Sequence, residues 1–237
     1  MVRDMITVFT ASYNYSKYLR QSIESVLNQT DRDFEYHLVD YGSTDNTWNI
    51  MQEYTKDTRV KAMQIGAQKN KVFAMNHSIR KAKGDAWVWC PADDYFASNL
   101  LERKRVYAKR YPKAVLDDDN YVVDGDGKVY GSSRRGEFTD ENIKVKIWEK
   151  SLIGFTGIYI PMFIFRDIGL YFSEEENYSE DYRWMIEAVE RGVKFRHIPE
   201  KLHFKRKHKG SCTKKEYVAI IANIEKIHKE LKEKYGK

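Results

Sequence analysis

The first 110 residues alternate between short apolar runs and segments whose apolar residues recur at helical spacing. The runs are rich in β-branched and aromatic residues and end at turn residues, which is typical of buried strands. This alternation predicts an α/β fold whose parallel, doubly wound sheet binds ligands at the carboxyl ends of its strands. The predicted strands are residues 6–10, 34–40, 60–65 and 86–90.

The second half is less regular, and no repeat or break in composition divides it from the first. We therefore expect one domain over residues 1–237. The predicted elements of this half are a hairpin around residue 126, strands at 158–165 and 193–198, a helix at 182–190 and a basic loop at 205–210.

The last segment, residues 214–237, predicts an amphipathic helix with one apolar face. Packing on the domain is the favoured role of this face, and a homodimer contact or a peripheral contact with anionic lipid are the alternatives. The face consists of Tyr217, Ile220, Ile221, Ile224, Ile227 and Leu231.

Charge narrows the class of partner. The chain carries 41 Lys and Arg against 35 Asp and Glu, so its net charge is +6. A mild excess of this kind points to anionic partners. We expect no nucleic-acid partner, because the basic residues are scattered among acids and no nucleic-acid-binding motif is present.

We expect no targeting signal in this sequence. No apolar stretch reaches the roughly 18 residues of a spanning helix, and the first residues lack the apolar segment of a signal peptide. Cys90 and Cys212 do not make a disulfide framework. We expect a cytoplasmic protein, at the inner face of the membrane if the last helix contacts lipid.

Carboxylates lie where the predicted strands end. Asp40 closes the second strand, and Asp93 and Asp94 follow the fourth. Adjacent carboxylates suit a hard divalent cation, which neutralises charge on a diphosphate. The alternative is a solvated pair at a helix N-terminus.

Other residues could join the same site. Tyr13 follows the first strand and could stack on a base or simply pack. Asp181 starts a helix and could be a general base or a cap. Arg206 and His208 could hold phosphates or belong to a solvated basic run.

Several segments resemble motifs of the family 2 glycosyltransferases. The resemblance is close over the first 110 residues and loose to about residue 211. The segments are VFTASYNYSKYLRQSIESVLNQT, VDYGSTDNT, AMNHSIRKAKGD, CPADD and SEDYRWMIEAVERG.

The resemblance implies the GT-A fold, a mostly parallel twisted sheet flanked by helices with a smaller antiparallel portion. Residues 1–110 would be the nucleotide-binding half and 111–213 the acceptor-side half. The implied donor is a nucleotide sugar, a UDP-sugar, used with Mn²⁺ or Mg²⁺. The implied acceptor is a carbohydrate or a lipid-linked one, in surface polysaccharide or glycoconjugate synthesis.

The resemblance also gives each candidate residue a role. Asp181 is the implied catalytic base, which deprotonates the acceptor hydroxyl for displacement with inversion. The implied nucleotide-binding residues are Ala11, Tyr13, Asp40, Asn70 and Asp93. The implied metal ligands are Asp93, Asp94 and His208, the diphosphate-binding residues are Arg206 and Ser211, and the acceptor-binding residues are Thr156 and Tyr159.

Two positions depart from the family pattern. Tyr41 replaces the second Asp of Asp-Asp-Gly-Ser, and Pro91 replaces the first Asp of Asp-x-Asp-Asp. One alternative is a non-catalytic nucleotide-sugar-binding homologue, in which Pro91 marks the loss of activity. The second is a sugar-1-phosphate nucleotidyltransferase, which also uses a nucleotide and a metal on an α/β sheet. The second usually has a Gly-rich basic loop after its first strand, where this chain has Ala-Ser-Tyr-Asn.

Overall fold

A computed structural model describes residues 5–66, 70–134, 139–149, 152–175, 178–211 and 217–236. In this part of the chain nine strands join in one mixed sheet that runs through both halves of the sequence. The strands are β1 (Ile6–Ser12), β2 (Phe34–Asp40), β3 (Val60–Gln64), β4 (Ala86–Trp89), β5 (Tyr95–Phe96), β6 (Ala114–Val123), β7 (Val129–Ser133), β8 (Tyr159–Pro161) and β9 (Lys194–Arg206).

The helices cover both faces of the sheet. A single 3₁₀ turn, Tyr54–Lys56, follows the second of them. None of the described helices is both long and apolar enough to cross a membrane. The helices are α1 (Ser16–Leu27), α2 (Thr47–Glu53), α3 (Lys71–Lys81), α4 (Leu100–Arg110), α5 (Asn142–Lys146), α6 (Phe163–Arg166), α7 (Glu180–Glu190) and α8 (Tyr217–Tyr235).

The strand order reverses between β1 and β4, the kind of position where an open α/β sheet forms a ligand-binding crevice. The order is β3-β2-β1-β4-β8-β6-β9-β5, with β7 paired to β6. The first four strands are parallel, and the chain moves to one side of β1 through β2 and β3 before it crosses to β4 on the other side. Open α/β sheets bind ligands at the carboxyl ends of the strands where the order reverses in this way.

Two hydrophobic layers hold the sheet. Helices α1, α2 and α4 pack on one face through residues such as Ile23, Met51 and Leu101. Helices α3 and α7 pack on the other face, where Met75 and Trp184 are fully buried. Both faces of the central strands are covered, which explains why their sequences are continuous apolar runs rather than alternating ones.

The predicted elements of the first half and the hairpin between β6 and β7 are confirmed. Two predictions in the second half are wrong. The run 158–165 holds only the short strand β8, which ends at Pro161, and the helix α6 follows it. The strand predicted at 193–198 continues to Arg206, so Lys205 and Arg206 are not loop residues. It passes Pro199 where its register against β6 shifts.

The second half of α8 packs on the domain, as favoured from the sequence. Ile227 and Leu231 are fully buried against the layer that contains α7. The apolar face is not continuous, however, because Ile221 is 42% exposed and Val218, near the start of the helix, is 81% exposed. The side chain of Tyr217 lies outside the described residues.

Leu231→Ala will lower the free energy of unfolding by about 2–5 kcal/mol, because it opens a cavity where α8 meets the domain. Val218→Ala, in the exposed first turn, will change it by less than about 0.5 kcal/mol. Urea denaturation followed by circular dichroism measures both. Equal, small effects of the two substitutions would show that α8 is not docked in solution.

Candidate active site

The loops that follow β1 and β2 hold each other in place. Asn14 has a left-handed backbone (φ 59°), and its Oδ1 accepts hydrogen bonds from the N–H of Thr44 (2.8 Å) and Asp45 (3.3 Å). In return, Asp45 Oδ2 accepts from Ser16 N–H at the start of α1 (3.1 Å). Each loop thereby satisfies backbone groups of the other, which fixes the residues at the ends of both strands.

Tyr13 lies at this crossing with its ring 45% exposed. It stacks on Tyr41 with ring centroids 5.6 Å apart and planes 24° from parallel. Tyr41 packs in turn against the hydrophobic layer below, as does Ala11. One face of Tyr13 is therefore backed by a second ring, and the pair forms a rigid aromatic platform at the carboxyl edge of the sheet.

Asp40 is fully buried at the end of β2. Its Oδ1 accepts from Ser43 N–H (3.2 Å) and its Oδ2 from the side-chain amide of Gln64 at the end of β3 (3.0 Å). Gln64 is itself exposed and covers the carboxylate. A ligand that reads Asp40 must therefore displace the Gln64 amide.

Asp93 and His208 meet although they are 115 residues apart in sequence. Asp93 Oδ2 lies 3.1 Å from His208 Nε2, and the His208 ring packs on Tyr18 at 4.7 Å between centroids. His208 Nδ1 accepts from Gly210 N–H (3.2 Å), so the proton of the neutral ring is on Nε2, where it faces Asp93. A carboxylate oxygen and an imidazole nitrogen thus converge beyond the end of β4.

Asp94 points the other way, into the protein, and is only 5% exposed. Its Oδ2 accepts from the Thr156 hydroxyl (2.7 Å) and its Oδ1 from Arg206 N–H (2.7 Å). Burial, with the nearby charge of Asp93, raises the pKa of Asp94 to about 6. Since each oxygen already has a donor, Asp94 joins the two halves of the protein rather than facing a cation beside Asp93.

The expectation that Arg206 binds a diphosphate is wrong, because protein acceptors occupy its guanidinium. The side chain is 4% exposed and donates to the backbone oxygens of Asp93 (2.9 Å), Asp124 (3.1 Å) and Gly125 (3.0 Å). It also donates to Gln21 Oε1 (2.5 Å). Ser211 lies beside this region, where its N–H donates to the His208 carbonyl (3.3 Å).

The two predicted acceptor contacts are also corrected. Thr156 is buried and its hydroxyl donates to Asp94, so it positions that acid. Tyr159, on β8, lines a different cavity of about 500 Å³ together with Ile6 and Asp85. Ile6 and Asp85 precede or begin β1 and β4, so this cavity lies at the amino ends of the strands, away from Tyr13 and Asp93.

A buried ionic network supports the segment that carries Thr156. Asp118 on β6 forms an ion pair with Lys104 and accepts from His203 Nδ1 at 2.7 Å. Burial acts to raise the pKa of Asp118, but the charges of Lys104 and His203 outweigh it and hold the pKa below its usual range. A Cβ on Gly157 (φ +72°) would lie 3.3 Å from His203 Nδ1, so the turn beside Thr156 needs glycine.

Asp181 and Glu180 begin α7 and differ in environment. Glu180 is buried, and its Oε1 forms an ion pair with Lys71 at 2.5 Å, while Asp181 is partly exposed. Burial raises the pKa of Glu180 despite Lys71. The Lys71 ammonium also lies 5.4 Å from the centre of the Trp89 ring at the end of β4. This chain of contacts brings the start of α7 to the same edge of the sheet as Asp93.

Asn70 caps the start of α3, where its side chain accepts from Phe73 N–H (2.9 Å). Its neighbour Lys71 makes the contact with α7, so residue 70 lies at this edge in a capping role. In the described residues no three His, Cys, Asp or Glu side chains group as a cation cage. A cation bound by Asp93 and His208 would need further ligands from a substrate.

Comparison with known proteins decides the family. The model of Glycosyl transferase family 2 matches residues 7–169, which is more than half of the chain. The chain belongs to glycosyl transferase family 2. The matched segment includes the Tyr13 platform and both acids at positions 93 and 94, and it ends before the His208 loop.

Curated glycosyltransferases resemble the chain at low sequence identity. WfaP of Escherichia coli, named as a UDP-Glc:α-D-GlcNAc-diphosphoundecaprenol β-1,3-glucosyltransferase, is 22% identical over 92% of this chain and 83% of its own length. TuaG of Bacillus subtilis, a putative teichuronic acid biosynthesis glycosyltransferase, is 30% identical over 43% of this chain and 41% of its own.

Solved structures share the fold. S. aureus TarS 1-349 in complex with UDP-GlcNAc has a TM-score of 0.74 at 21% identity, over 87% of this chain and 59% of the TarS chain. The mannosyltransferase PcManGT from Pyrobaculum calidifontis, in complex with GDP-Man and Mn²⁺, has a TM-score of 0.71 at 15% identity, over 98% of this chain and 65% of that one. The expected GT-A fold of family 2 is thereby confirmed.

Sequence reasoning missed several residues of this family 2 site. Tyr18 and Gln21 hold the His208 ring and Arg206, Gln64 covers Asp40, and Lys71 ties α3 to α7. Lys71 follows a candidate residue directly, so its position alone could have drawn attention. The other three are set by contacts with distant strands and leave no local signal.

Thr156→Val will cost about 1–3 kcal/mol of folding free energy, because it leaves the buried Asp94 carboxylate short of a donor. Thr30→Val is the matched control, because it removes a hydroxyl that donates to the Glu102 carboxylate at the protein surface (2.7 Å). This substitution will cost less than about 0.5 kcal/mol. Chemical denaturation measures both. Equal costs would contradict the buried linkage of Asp94.

Proposed function

We propose that this chain transfers a sugar from a nucleotide-diphosphate donor to an acceptor hydroxyl with inversion. The observation that carries the proposal is the meeting of Asp93 and His208 beyond β4, at the crevice where the strand order reverses. That pair offers the oxygen and nitrogen ligands of a divalent cation beside an aromatic platform.

The Tyr13–Tyr41 platform supports binding of the nucleobase. The outer face of Tyr13 is open, and an exposed ring backed by a second ring loses little freedom when a base stacks on it. Asp40 reads the edge of the base once Gln64 has moved aside. Ala11 and Asn70 complete the proposed nucleotide-binding set, one below the platform and one at the start of α3.

The residues fit a divalent cation that is shared with the donor. Asp93 and His208 are its proposed ligands, and Ser211 lies beside the diphosphate. Such a cation, when bound, neutralises charge that develops on the leaving diphosphate. For His208 to offer the Nε2 lone pair, the ring proton must move to Nδ1, at the expense of the hydrogen bond from Gly210 N–H. Asp94 keeps Asp93 in place from below.

Asp181 is the proposed base. It accepts the proton of the acceptor hydroxyl, whose oxygen then forms the new bond to the anomeric carbon while the bond to the diphosphate breaks. Glu180 stays paired with Lys71 and fixes the first turn of α7. The buried acid therefore anchors the helix, and the partly exposed acid beside it does the proton transfer.

Relatives suggest the substrate classes. TarS and WfaP are named with UDP-linked sugars, and WfaP acts on a lipid-linked acceptor. We propose a UDP-sugar donor, Mn²⁺ or Mg²⁺, and a carbohydrate or lipid-linked acceptor in surface polysaccharide synthesis. The exposed first turns of α8 would then lie against the inner face of the membrane, and a homodimer through the same surface is the alternative.

A thermal-shift screen tests donor binding. UDP, GDP and their sugars are added with and without Mn²⁺, and we expect the UDP series to raise the melting temperature most, with Mn²⁺ enhancing the shift. Absence of a shift with any nucleotide would refute the proposal. Binding without transfer to any acceptor would favour the non-catalytic homologue.

Asp181→Asn will lower kcat by a factor of about 10²–10⁴, because the acceptor hydroxyl loses its base, and will leave the Kd for UDP unchanged. Release of UDP in a coupled assay gives kcat, and calorimetry gives Kd. Asp167→Asn, an exposed acid at the opposite end of the sheet, is the control and will retain full activity. Full activity in Asp181→Asn would exclude this residue as the base.

Tyr13→Leu will weaken UDP binding by about 10- to 100-fold, which corresponds to the roughly 1–3 kcal/mol of one base–aromatic stack. Tyr13→Phe keeps the ring and will stay within about twofold. Tyr130→Leu, which removes an exposed ring on β7, is the matched control. Calorimetry with UDP and Mn²⁺ measures all three, and equal affinity in the two Leu variants would disprove the stack.

A further inference from the structure

We propose that Arg206 is a positioning residue that sets the distance between Asp93 and His208, and that two tyrosine rings hold its guanidinium in plane. The inference rests on the proposed function, since Asp93 and His208 are the proposed cation ligands. It is carried by the backbone of Arg206, by its guanidinium group and by the rings that cover it.

Arg206 holds the Asp93–Asp94 loop at two points. Its N–H donates to Asp94 Oδ1 (2.7 Å), and its Nε–H donates to the backbone oxygen of Asp93 (2.9 Å). One residue of β9 therefore fixes both the backbone and the buried side chain of the loop. His208 lies only two residues further along the chain, so the same contacts fix the loop relative to the imidazole.

The outer nitrogens of the guanidinium anchor this junction to two other elements. Nη1 donates to the backbone oxygens of Asp124 (3.1 Å) and Gly125 (3.0 Å) in the turn between β6 and β7. Nη2 donates to Gln21 Oε1 on α1 (2.5 Å). Acceptors on three separate segments thus surround one planar group. The guanidinium of an arginine, whose N–H donors point in fixed directions, matches this arrangement.

Two aromatic rings contact the guanidinium. The guanidinium carbon lies 4.8 Å from the centre of the Tyr18 ring and 5.5 Å from that of Tyr95. Tyr95 stacks on Phe204 at 4.5 Å and 9°, and Phe204 stacks on Tyr121 at 4.9 Å and 17°. This column of rings stands on β5, β9 and β6, so the orientation of Arg206 is built into the sheet.

Tyr18 links the column directly to the proposed ligand. Its ring contacts the Arg206 guanidinium and also the His208 ring, at 4.7 Å between centroids. A shift of the guanidinium plane therefore reaches the cation site by two routes, through the Asp93 carbonyl and through Tyr18. A lysine at position 206 would keep the charge but could neither bridge these acceptors nor offer a planar group to the two rings.

Titration with Mn²⁺ in the presence of UDP, read from the electron paramagnetic resonance of the free ion, tests the role of Arg206. We expect Arg206→Lys to weaken Mn²⁺ binding about tenfold, as is usual when a group that orients a metal ligand is changed. Tyr95→Leu, which removes one of the two rings that contact the guanidinium, will weaken Mn²⁺ binding in the same direction by less. Arg103→Lys is the matched control, because it loses a similar fork to Glu200 on the surface, and it will bind as the wild type does.

Melting temperatures are measured alongside, because a purely structural arginine would lower them without changing Mn²⁺ affinity. That result in Arg206→Lys would overturn the inference. If Arg206→Lys does not fold, Tyr95→Leu carries the test, and wild-type Mn²⁺ affinity in that variant overturns it. If the wild-type protein itself binds no Mn²⁺ with UDP, the proposed function fails instead.

Discussion

The buried carboxylate of Asp94 is the interaction on which the rest of the site depends. Its donors come from Thr156 and from the backbone of Arg206, which lie 62 and 112 residues further along the chain. Burying a carboxylate is costly, and here the raised pKa expresses that cost. The two hydrogen bonds offset this cost only when both halves of the sheet are assembled. Asp94 therefore stabilises the packing of one half against the other.

The first half of the fold could be predicted because its elements are local. Each strand and helix up to Arg110 is a single run whose periodicity and turn residues lie within about 15 residues. The second half depends on pairing between distant segments. β9 passes Pro199 where its register against β6 shifts, and β8 ends at Pro161, two residues before α6 begins. The local sequence pattern predicts neither the partner strand of β9 nor the shift in its register.

For the site, some predicted residues do lie at one edge of the sheet, but the sequence did not predict which way the side chains of Asp94, Thr156 and Arg206 face. Tyr13, Asp93 and His208 come to one edge because strand ends fix their positions. The Arg206 side chain faces inward because it donates to a backbone carbonyl 82 residues away, and the Thr156 hydroxyl faces inward because it donates to Asp94. Tertiary contacts thus decide which way these side chains face. The prediction that residues 205–210 bind phosphate rested on their charge alone.

The two departures from the family pattern lower the negative charge at the crevice. Pro91 puts an uncharged ring where the family pattern has a carboxylate, and Tyr41 puts an aromatic ring beside Tyr13. With Asp94 turned inward, Asp93 and a neutral imidazole are left to face a cation. Two protein ligands hold a divalent ion weakly unless diphosphate oxygens complete its shell. We therefore expect the donor and the cation to bind together rather than in sequence. The protein then positions the cation, and the nucleotide diphosphate supplies most of the negative charge around it.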